Sequence, residues 1–242
     1  MNENHFVKNI EDKDALVKEA AKMKKLKDIS LKSGLFQVPE ILEVNTDLKY
    51  LRMERINAAV ELRKYLISNN TIFHTNIPAL TKIYFKIGRI LALIHKNLSL
   101  EPKEKMDFQS FERRDFCFLH GDLGLSNILI ENGKIWIVDP STSHYQKKIF
   151  VWGPFYYDLA QLIVYTKVIM PLAHYPFYRK KNVEILEKAL INGYETERKI
   201  EVDEEKMFMM KKIILKNYLR AKREKYLKWA RNIIVKNELK NY

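Results

Sequence analysis

The sequence predicts an α+β protein with a small, strand-rich N-terminal part and a larger, mainly helical C-terminal part. Strand patterns at residues 5–8 and 48–53 flank one helix within the first 56 residues. From residue 57 onward most of the chain reads as helical. A third observation is a hairpin pattern at residues 128–138, inside the helical part. We therefore expect two units, residues 1–56 and residues 57–242.

The length and composition of the chain are those of one large domain, or of two lobes, with enough residues to bury a hydrophobic core. The chain has 242 residues, of which 47% are hydrophobic and 30% charged, as in soluble globular proteins. The longest apolar run, residues 159–173, is too short for a membrane span, and the residues after Met1 do not form an apolar signal segment. The single cysteine, Cys117, excludes an intramolecular disulfide, so we expect a cytoplasmic protein.

The positive charge is concentrated at the C-terminal end. Of the formal net charge of +13, residues 205–242 contribute twelve Lys or Arg against three Glu. A basic end indicates anionic partners such as nucleic acid, lipid headgroups or phosphorylated glycans. The apolar stripe of the last helices first indicates packing on the core, and only second a helix that binds an anionic membrane surface or RNA. A lysine-rich proteome would give the same composition, so both interpretations stay open. No nucleic-acid motif is present, and no specific nucleic-acid partner is expected.

The first helix follows the first strand almost at once. Residues 12–26 carry apolar side chains at helical spacing, and Asp12 or Asp14 can serve near the N-terminus. Gly34 marks a helix stop before the next extended segment. A second helical stripe begins at Leu80 and ends at His95, to which we assign no catalytic role.

Residues 117–140 are the stretch around which the chain is organised. Residues 128–130 and 135–138 are apolar and largely β-branched, and Asn132-Gly133 lies between them. This dipeptide suits a type I′ turn, because both central residues of such a turn have positive φ, which Asn and Gly tolerate. The pattern therefore predicts a β-hairpin with a fixed register.

That register brings three polar side chains together. With the turn at Asn132-Gly133, Asn127 lies opposite Val138, so Asn127 and Asp139 meet at the open end of the hairpin. Asp122 lies five residues before Asn127, on the loop that leads into the hairpin. An amide oxygen and two carboxylates form a hard-oxygen set suited to magnesium and phosphate rather than to zinc.

The spacing of these residues resembles a known family. His120-Gly121-Asp122, followed by Asn127 and then by Asp139 after one hairpin, has the catalytic-loop spacing of protein-kinase-like phosphotransferases. The His-Gly-Asp form, with Asp-Pro in place of Asp-Phe-Gly, resembles the aminoglycoside phosphotransferase and choline kinase family. A structural hairpin with an Asp at each end is the alternative. The resemblance covers residues 6–160 and implies a protein-kinase-like fold.

The resemblance implies ATP-dependent phosphoryl transfer with ATP and Mg²⁺ as cofactors. Asp122 would orient and deprotonate an acceptor hydroxyl, and Asn127 and Asp139 would hold the metal. Lys8 would neutralise charge on the α- and β-phosphates. Such catalysis is mostly positioning and electrostatics.

Further roles follow from the same resemblance. Glu19, on the first helix, is the candidate partner of Lys8. Backbone groups near Glu54 and Ile56 would contact the adenine edge, although an ordinary edge strand would look the same. His120 and Asp158 would be structural supports, Asp158 by accepting backbone hydrogens of the catalytic loop.

The family has two strands and a phosphate-covering loop before the lysine, which need ~20 residues. Only seven residues precede Lys8, and the sequence has seven glycines without a glycine-rich loop. We therefore expect a truncated N-lobe, in which the strand of Lys8 is a sheet edge. Such an edge invites another chain, and a homodimer is one way of covering it.

Three functional interpretations remain open. The first is a kinase for a small molecule, a glycan or a lipid headgroup. The second is a catalytically weak or silent regulator or scaffold, and the third is an atypical protein kinase. The aromatic residues after Asp139 either line an acceptor pocket or pack the segment: Tyr145, Trp152, Phe155 and Tyr156.

Overall fold

The structure of this protein, a computed structural model, describes residues 5–71, 73–140, 148–169, 179–220 and 239. The N-terminal part is a three-stranded sheet and one long helix. Its elements are strand β1 (His5–Asn9), helix α1 (Lys13–Ser33), strand β2 (Ile41–Asn45) and strand β3 (Tyr50–Glu54). The strands are antiparallel in the order β1–β3–β2, which leaves β1 at one edge of the described sheet.

Helix α1 begins and ends where its capping residues require. The Asp12 carboxylate accepts the backbone N–H groups of Asp14 and Ala15, which satisfies two donors of the first turn. Gly34 has φ 64° and its N–H bonds the carbonyl of Ser30, which ends the helix in the left-handed conformation. The predicted helix is confirmed, but it continues to Ser33 because its last turns also face the core.

In its described residues, the larger part contains most of the helices and six short strands. Its elements are β4 (Val60–Glu61), α2 (Leu62–Asn69), α3 (Ile77–Asn97), β5 (Glu104–Lys105), β6 (Phe116–Phe118), β7 (Ile128–Glu131), β8 (Lys134–Ile137), β9 (Val151–Pro154), α4 (Tyr156–Val164), α5 (Val183–Arg198) and α6 (Glu204–Arg220). A π-helical turn, Tyr165–Ile169, follows α4. The proposed division between residues 1–56 and 57–242 falls in the loop between β3 and β4.

The six short strands form two further sheets, in the orders β4–β7–β8 and β5–β9–β6. The predicted hairpin is the β7–β8 pair, and it is confirmed. The strand expected at Cys117 is β6. The other three strands, β4, β5 and β9, were not predicted, because strands of two to four residues show no readable alternation.

Helices α3 and α5 cross at unusually short range. A Cβ atom on Gly88 would lie 2.0 Å from the carbonyl oxygen of Leu190, and one on Gly193 would lie 2.0 Å from that of Phe85. Only glycine allows this approach at both positions. The crossing sets α5 against α3, which brings Tyr194 within hydrogen-bond distance of His95.

The two parts of the chain are joined by backbone hydrogen bonds. The N–H of Gln37 bonds the carbonyl of Ile135 at 2.8 Å, and the N–H of Ile137 bonds the carbonyl of Gln37 at 2.9 Å. These bonds attach the segment before β2 to strand β8. Among the described residues, no helix is long and apolar enough to cross a membrane.

Candidate active site

The open end of the β7–β8 hairpin gathers the polar residues that the sequence singled out. Both central residues of its turn have positive φ, 48° for Asn132 and 76° for Gly133. At the other end, the N–H of Val138 bonds the carbonyl of Asn127 at 3.0 Å. The register is therefore the predicted one, and it sets Asn127 beside the strand that leads to Asp139.

The loop before the hairpin is closed by its own hydrogen bonds. The Asp122 carbonyl accepts from the N–H of Gly124 and from Nδ2 of Asn127, both at 2.8 Å. The side-chain nitrogen of Asn127 is thus committed to the loop, and its Oδ1 receives only a long contact, 3.4 Å, from Ser126. This orientation presents an amide oxygen, the atom that a magnesium ion would use.

Lys8 joins the N-terminal sheet to this strand end. Its Nζ lies 2.5 Å from Oδ1 of Asp139 and 2.7 Å from Oε1 of Glu19. The pairing of Lys8 with Glu19 that the sequence predicted is present. Asp139 has φ 51°, a left-handed conformation that Asp tolerates better than most residues and that is often found at functional sites.

Burial and charge oppose each other in this ion pair. Burial alone would lower the pKa of Lys8, but the carboxylates of Asp139 and Glu19 outweigh it and raise the pKa. Burial raises the pKa of Glu19, and the nearby Lys8 ammonium only partly offsets it. The network therefore holds a permanent cation between two acids.

Asp122 is the half-buried carboxylate that faces this network. Burial, followed by the negative charges of Asp139 and Asp158, raises its pKa to about 7, against the opposing charges of Lys8 and Lys22. No hydrogen bond from the described residues engages its carboxylate. A carboxyl group with a pKa near the working pH suits a general base.

Asp158 holds the turn that carries Asp122. This fully buried carboxylate accepts the N–H of His120 at 2.7 Å on Oδ2 and the N–H of Gly121 at 3.0 Å on Oδ1. Nε2 of His95 lies 3.0 Å from Oδ2. Burial would raise the pKa of Asp158, but these bonds outweigh it and lower the pKa. The arrangement matches the supporting role that the resemblance implied.

His120 supports the site through contacts rather than through proton transfer. Its Nε2 lies 3.2 Å from the carbonyl of Val138, which ties the loop that carries Asp122 to the residue before Asp139. Burial lowers the pKa of His120 to about 4, so the ring is neutral near pH 7. Nδ1 is buried without a hydrogen-bond partner among the described residues.

Glu54 and Ile56, the candidate adenine-contacting residues, lie at the far end of the N-terminal sheet from Lys8. Glu54 ends β3 and pairs with His5, three residues before Lys8 on β1. Its N–H bonds the carbonyl of Glu40 at 2.9 Å, so this donor is already engaged. Ile56 follows in the loop and is half-buried. An adenine contact would therefore use the Glu54 carbonyl or the Ile56 N–H.

Two supporting residues were missed by sequence reasoning. Lys22, on α1, is fully buried and donates to the carbonyl of His120 at 2.7 Å. Gln161, on α4, accepts the N–H of Leu123 at 2.9 Å. The signal for Lys22 was its position on the buried stripe of α1, between Glu19 and Met23, where a charged side chain needs a partner.

The aromatic residues after Asp139 mostly pack the core. Phe155 stacks on Tyr156 at 4.1 Å and on Tyr194 at 5.2 Å between ring centroids. Trp152 meets Phe118 edge-on at 4.8 Å. The packing interpretation therefore holds for these rings, and Tyr145 lies outside the described residues.

A wide groove of about 1240 Å³ opens between α5 and α6. Phe155 and Tyr156 are among its lining residues, but none of Lys8, Asp122, Asn127 and Asp139 lines it. Several of its charged side chains are already paired, Asp115 with Lys206 and Glu187 with Lys211, each at 2.7 Å. The groove is therefore separate from the chemistry of the hairpin end.

The residues at the hairpin end suit a magnesium ion that also binds phosphate. In the described part of the chain, no three His, Cys, Asp or Glu side chains are grouped to hold a metal by themselves. Mg²⁺ typically takes one or two protein oxygens and completes its shell with water and substrate phosphates. Asn127 and Asp139 offer such a pair.

Comparison with solved structures identifies the fold. A choline/ethanolamine kinase family protein from Mesorhizobium loti has a TM-score of 0.60 and 12% identity, over 99% of this chain and 85% of that one. Choline kinase LicA from Streptococcus pneumoniae has a TM-score of 0.59 and 13% identity, over 100% of this chain and 88% of that one. A glucosamine kinase has a TM-score of 0.65 and 13% identity, over 92% of this chain and 69% of that one.

These similar structures are small-molecule kinases. They confirm the predicted protein-kinase-like fold, and they support the resemblance found in the sequence at the level of the fold. No protein-family model and no curated protein sequence matches the chain.

Proposed function

We propose that this protein is an ATP-dependent phosphotransferase that moves the γ-phosphate of ATP to a hydroxyl group of a small molecule, a glycan or a lipid headgroup. The observation that carries the proposal is the meeting of Asp122, Asn127, Asp139 and Lys8 at one strand end. The fold adds support, since similar structures include a choline kinase and a glucosamine kinase in complex with glucosamine, ADP and inorganic phosphate.

In the proposed reaction the acceptor oxygen forms a bond to the γ-phosphorus while the bond from that phosphorus to the β,γ-bridging oxygen breaks. ADP leaves with that oxygen, and the hydroxyl proton passes to the Asp122 carboxylate. The bonds from Asp158 to the catalytic-loop turn keep Asp122 directed toward the acceptor. Positioning of this kind supplies much of the rate enhancement in phosphoryl transfer.

Two cations would balance the triphosphate. Lys8, held by Glu19, would face the α- and β-phosphates. Magnesium, when bound to Asn127 and Asp139, would neutralise charge that develops on the transferred phosphoryl group. The cytoplasm, where the single cysteine stays reduced, is the proposed location.

Isothermal titration calorimetry with ATP tests the metal assignment. We expect at least tenfold tighter ATP binding with magnesium than with EDTA, and we expect Asp139→Asn to remove that difference. Glu131→Gln is the matched control, because Glu131 lies at the turn end of the same hairpin and bonds Trp136. Equal ATP affinity with and without magnesium would refute the assignment.

A screen of acceptors tests the reaction itself. Hydroxyl-bearing amines, sugars and lipid headgroups are incubated with ATP and magnesium, and ³¹P NMR follows ADP and any new phosphate monoester. We expect one acceptor class to accelerate ATP consumption at least tenfold over water. Nucleotide binding without transfer to any class would instead favour the silent regulator.

A further inference from the structure

A buried lysine with no assigned role lies between α1 and the catalytic loop. Lys22 has no exposed surface, and its Nζ donates to the carbonyl of His120 at 2.7 Å and to that of Ile149 at 2.8 Å. The first carbonyl lies two residues before Asp122. The second lies at the start of the described segment that follows Asp139 along the chain.

The peptide group between His120 and Gly121 is held at both ends by opposite charges. Its carbonyl oxygen receives the Lys22 ammonium, and its N–H, on Gly121, donates to Oδ1 of Asp158 at 3.0 Å. Gly121 has φ 88°, so the chain turns sharply here before Asp122. Rotation of this peptide group would break both charge-assisted bonds and would redirect Asp122.

Helix α1 also carries the partner of the phosphate-binding lysine. Glu19 lies one turn before Lys22 on the helix and bonds Lys8 at 2.7 Å. One turn of α1 thus contacts both the lysine that faces the triphosphate and the loop that carries the general base. A displacement of α1 would move the two together.

A second ion pair fixes the same helix to the same neighbouring segment. Lys18 bonds Glu104 at 2.9 Å, and the Glu104 carboxylate accepts the N–H groups of Ile149 and Phe150 at 2.5 and 2.8 Å. Residues 149–150 are therefore tied to α1 through Lys18 and Glu104 as well as through Lys22. These contacts oppose a swing of α1 away from the catalytic loop.

Burial makes a charged side chain here costly. Desolvation lowers the pKa of Lys22 to about 8, against the opposing charges of Asp158, Glu19, Glu104 and Asp122. A fully apolar contact would pack α1 against the loop without that cost. The ammonium adds donors directed at two specific carbonyl oxygens, which an apolar side chain cannot supply.

We propose that Lys22 is a positioning residue, which orients the His120–Gly121 peptide group and so directs Asp122. The same helix, α1, holds Lys8 at a fixed distance from Asp122. The inference rests on the proposed function for its effect on turnover. Its structural part, that Lys22 orders the catalytic loop, can be tested without any activity.

The test compares Lys22→Met with Leu26→Ala, a matched control that removes buried apolar volume one turn further along α1. Hydrogen exchange by mass spectrometry is followed in residues 119–123 and, as a reference for global opening, in α3. For Lys22→Met we expect exchange in residues 119–123 to rise at least tenfold more than exchange in α3. For Leu26→Ala the two segments should change in parallel. Parallel changes in both variants would overturn the inference.

Kinetics supply the second readout once an acceptor is known. Because Lys22 acts on the general base and not on the nucleotide, kcat of Lys22→Met should fall at least tenfold with the KM for ATP within threefold. Leu26→Ala, assayed well below its Tm, should keep both within threefold. A kcat for Lys22→Met equal to that of the control would contradict positioning. If the wild-type protein transfers no phosphate, the proposed function fails, and the exchange comparison still decides the role of Lys22.

Discussion

Asp122 shows at the scale of one residue how the candidate site opposes the stability of the fold. Its carboxyl is partly withdrawn from water and lies near the carboxylates of Asp139 and Asp158, which raises the pKa to about 7 from 3.8. Ionisation of Asp122 is therefore unfavourable in the folded chain. A general base needs this property, because a carboxylate that is fully stabilised accepts protons poorly.

The raised pKa predicts that Asp122→Asn stabilises the protein at high pH. Between pH 3.8 and about 7 the folded chain keeps a proton on Asp122 that the unfolded chain has lost, so stability falls as pH rises. Above pH 7 the deficit is complete, on the order of 1–4 kcal/mol after allowance for partial solvent exposure. Asparagine cannot ionise, so the variant should have the higher free energy of unfolding there.

Urea unfolding of both proteins from pH 4 to pH 8.5 measures this difference. The advantage of Asp122→Asn should grow with pH and vanish near pH 4. The control is Asp47→Asn, whose carboxylate is 92% exposed and which should show no such trend. A variant that is less stable than the wild-type protein at pH 8.5 would contradict the pKa assignment.

Strand β1 provides the corresponding test at the scale of one element. Alternate side chains of a strand face opposite sides, so Phe6 shares the face of Lys8, and Val7 occupies the other face. Phe6 is 53% exposed and Val7 44% exposed. A large aromatic ring left exposed beside Lys8 suits contact with a nucleotide base.

We predict that Phe6→Ala weakens ATP binding while Val7→Ala does not. Loss of an aromatic ring stacked on a base costs ~1–3 kcal/mol, which is about 5- to 150-fold in affinity. Val7→Ala, the matched control, should stay within twofold. Calorimetry with magnesium and ATP measures both variants. Equal losses of ATP affinity in the two would show that the face of β1 that carries Phe6 and Lys8 has no special part in nucleotide binding.

Local chemistry explains which elements could be predicted from the sequence. The β7–β8 hairpin was predictable because Asn132-Gly133 sets both its turn and its register. The start and the end of α1 were predictable because Asp12 and Gly34 are strong capping residues. Strands β4 and β5 have two residues each, too few for a pattern. Lys22 was missed because its partners are backbone carbonyls 98 and 127 residues away, which leave no trace in local sequence.

At the scale of the whole molecule, the candidate site depends on contacts between distant parts of the chain. Lys8 and Asp139 are 131 residues apart and meet through the docking of the N-terminal sheet on the hairpin. Periodicity and turn chemistry cannot predict such a meeting, because they act within a few residues. The family resemblance supplied it for Lys8, Glu19 and Asp158, whereas Gln161 and Lys22 had no counterpart in that reasoning.

The basic C-terminal end remains a proposal for a membrane contact. Residues 221–238 and 240–242 lie outside the described residues, and the described turns of α6 already carry several lysines. We predict that the protein sediments with vesicles rich in anionic lipid at low salt and is released as salt rises. The control is vesicles of neutral lipid. Absence of binding at low salt would leave this end without an anionic partner.

The homodimer proposed from the edge position of β1 is tested by light scattering. Strand β1 pairs only with β3 within the described sheet. We expect a mass above 28.9 kDa that falls to the monomer value on Val7→Pro, which removes a backbone N–H on the side of β1 that faces away from β3. A monomeric wild-type protein at assay concentrations would exclude this arrangement.

The most direct test of phosphoryl transfer by Asp122 separates chemistry from nucleotide binding in one variant. In Asp122→Asn, we expect turnover on an identified acceptor to fall by ~10²–10⁴ while the affinity for magnesium and ATP stays within a few fold, because the proposed role of Asp122 is on the acceptor and not on the nucleotide. ³¹P NMR measures the transfer and calorimetry the affinity. Wild-type turnover in Asp122→Asn would contradict the account.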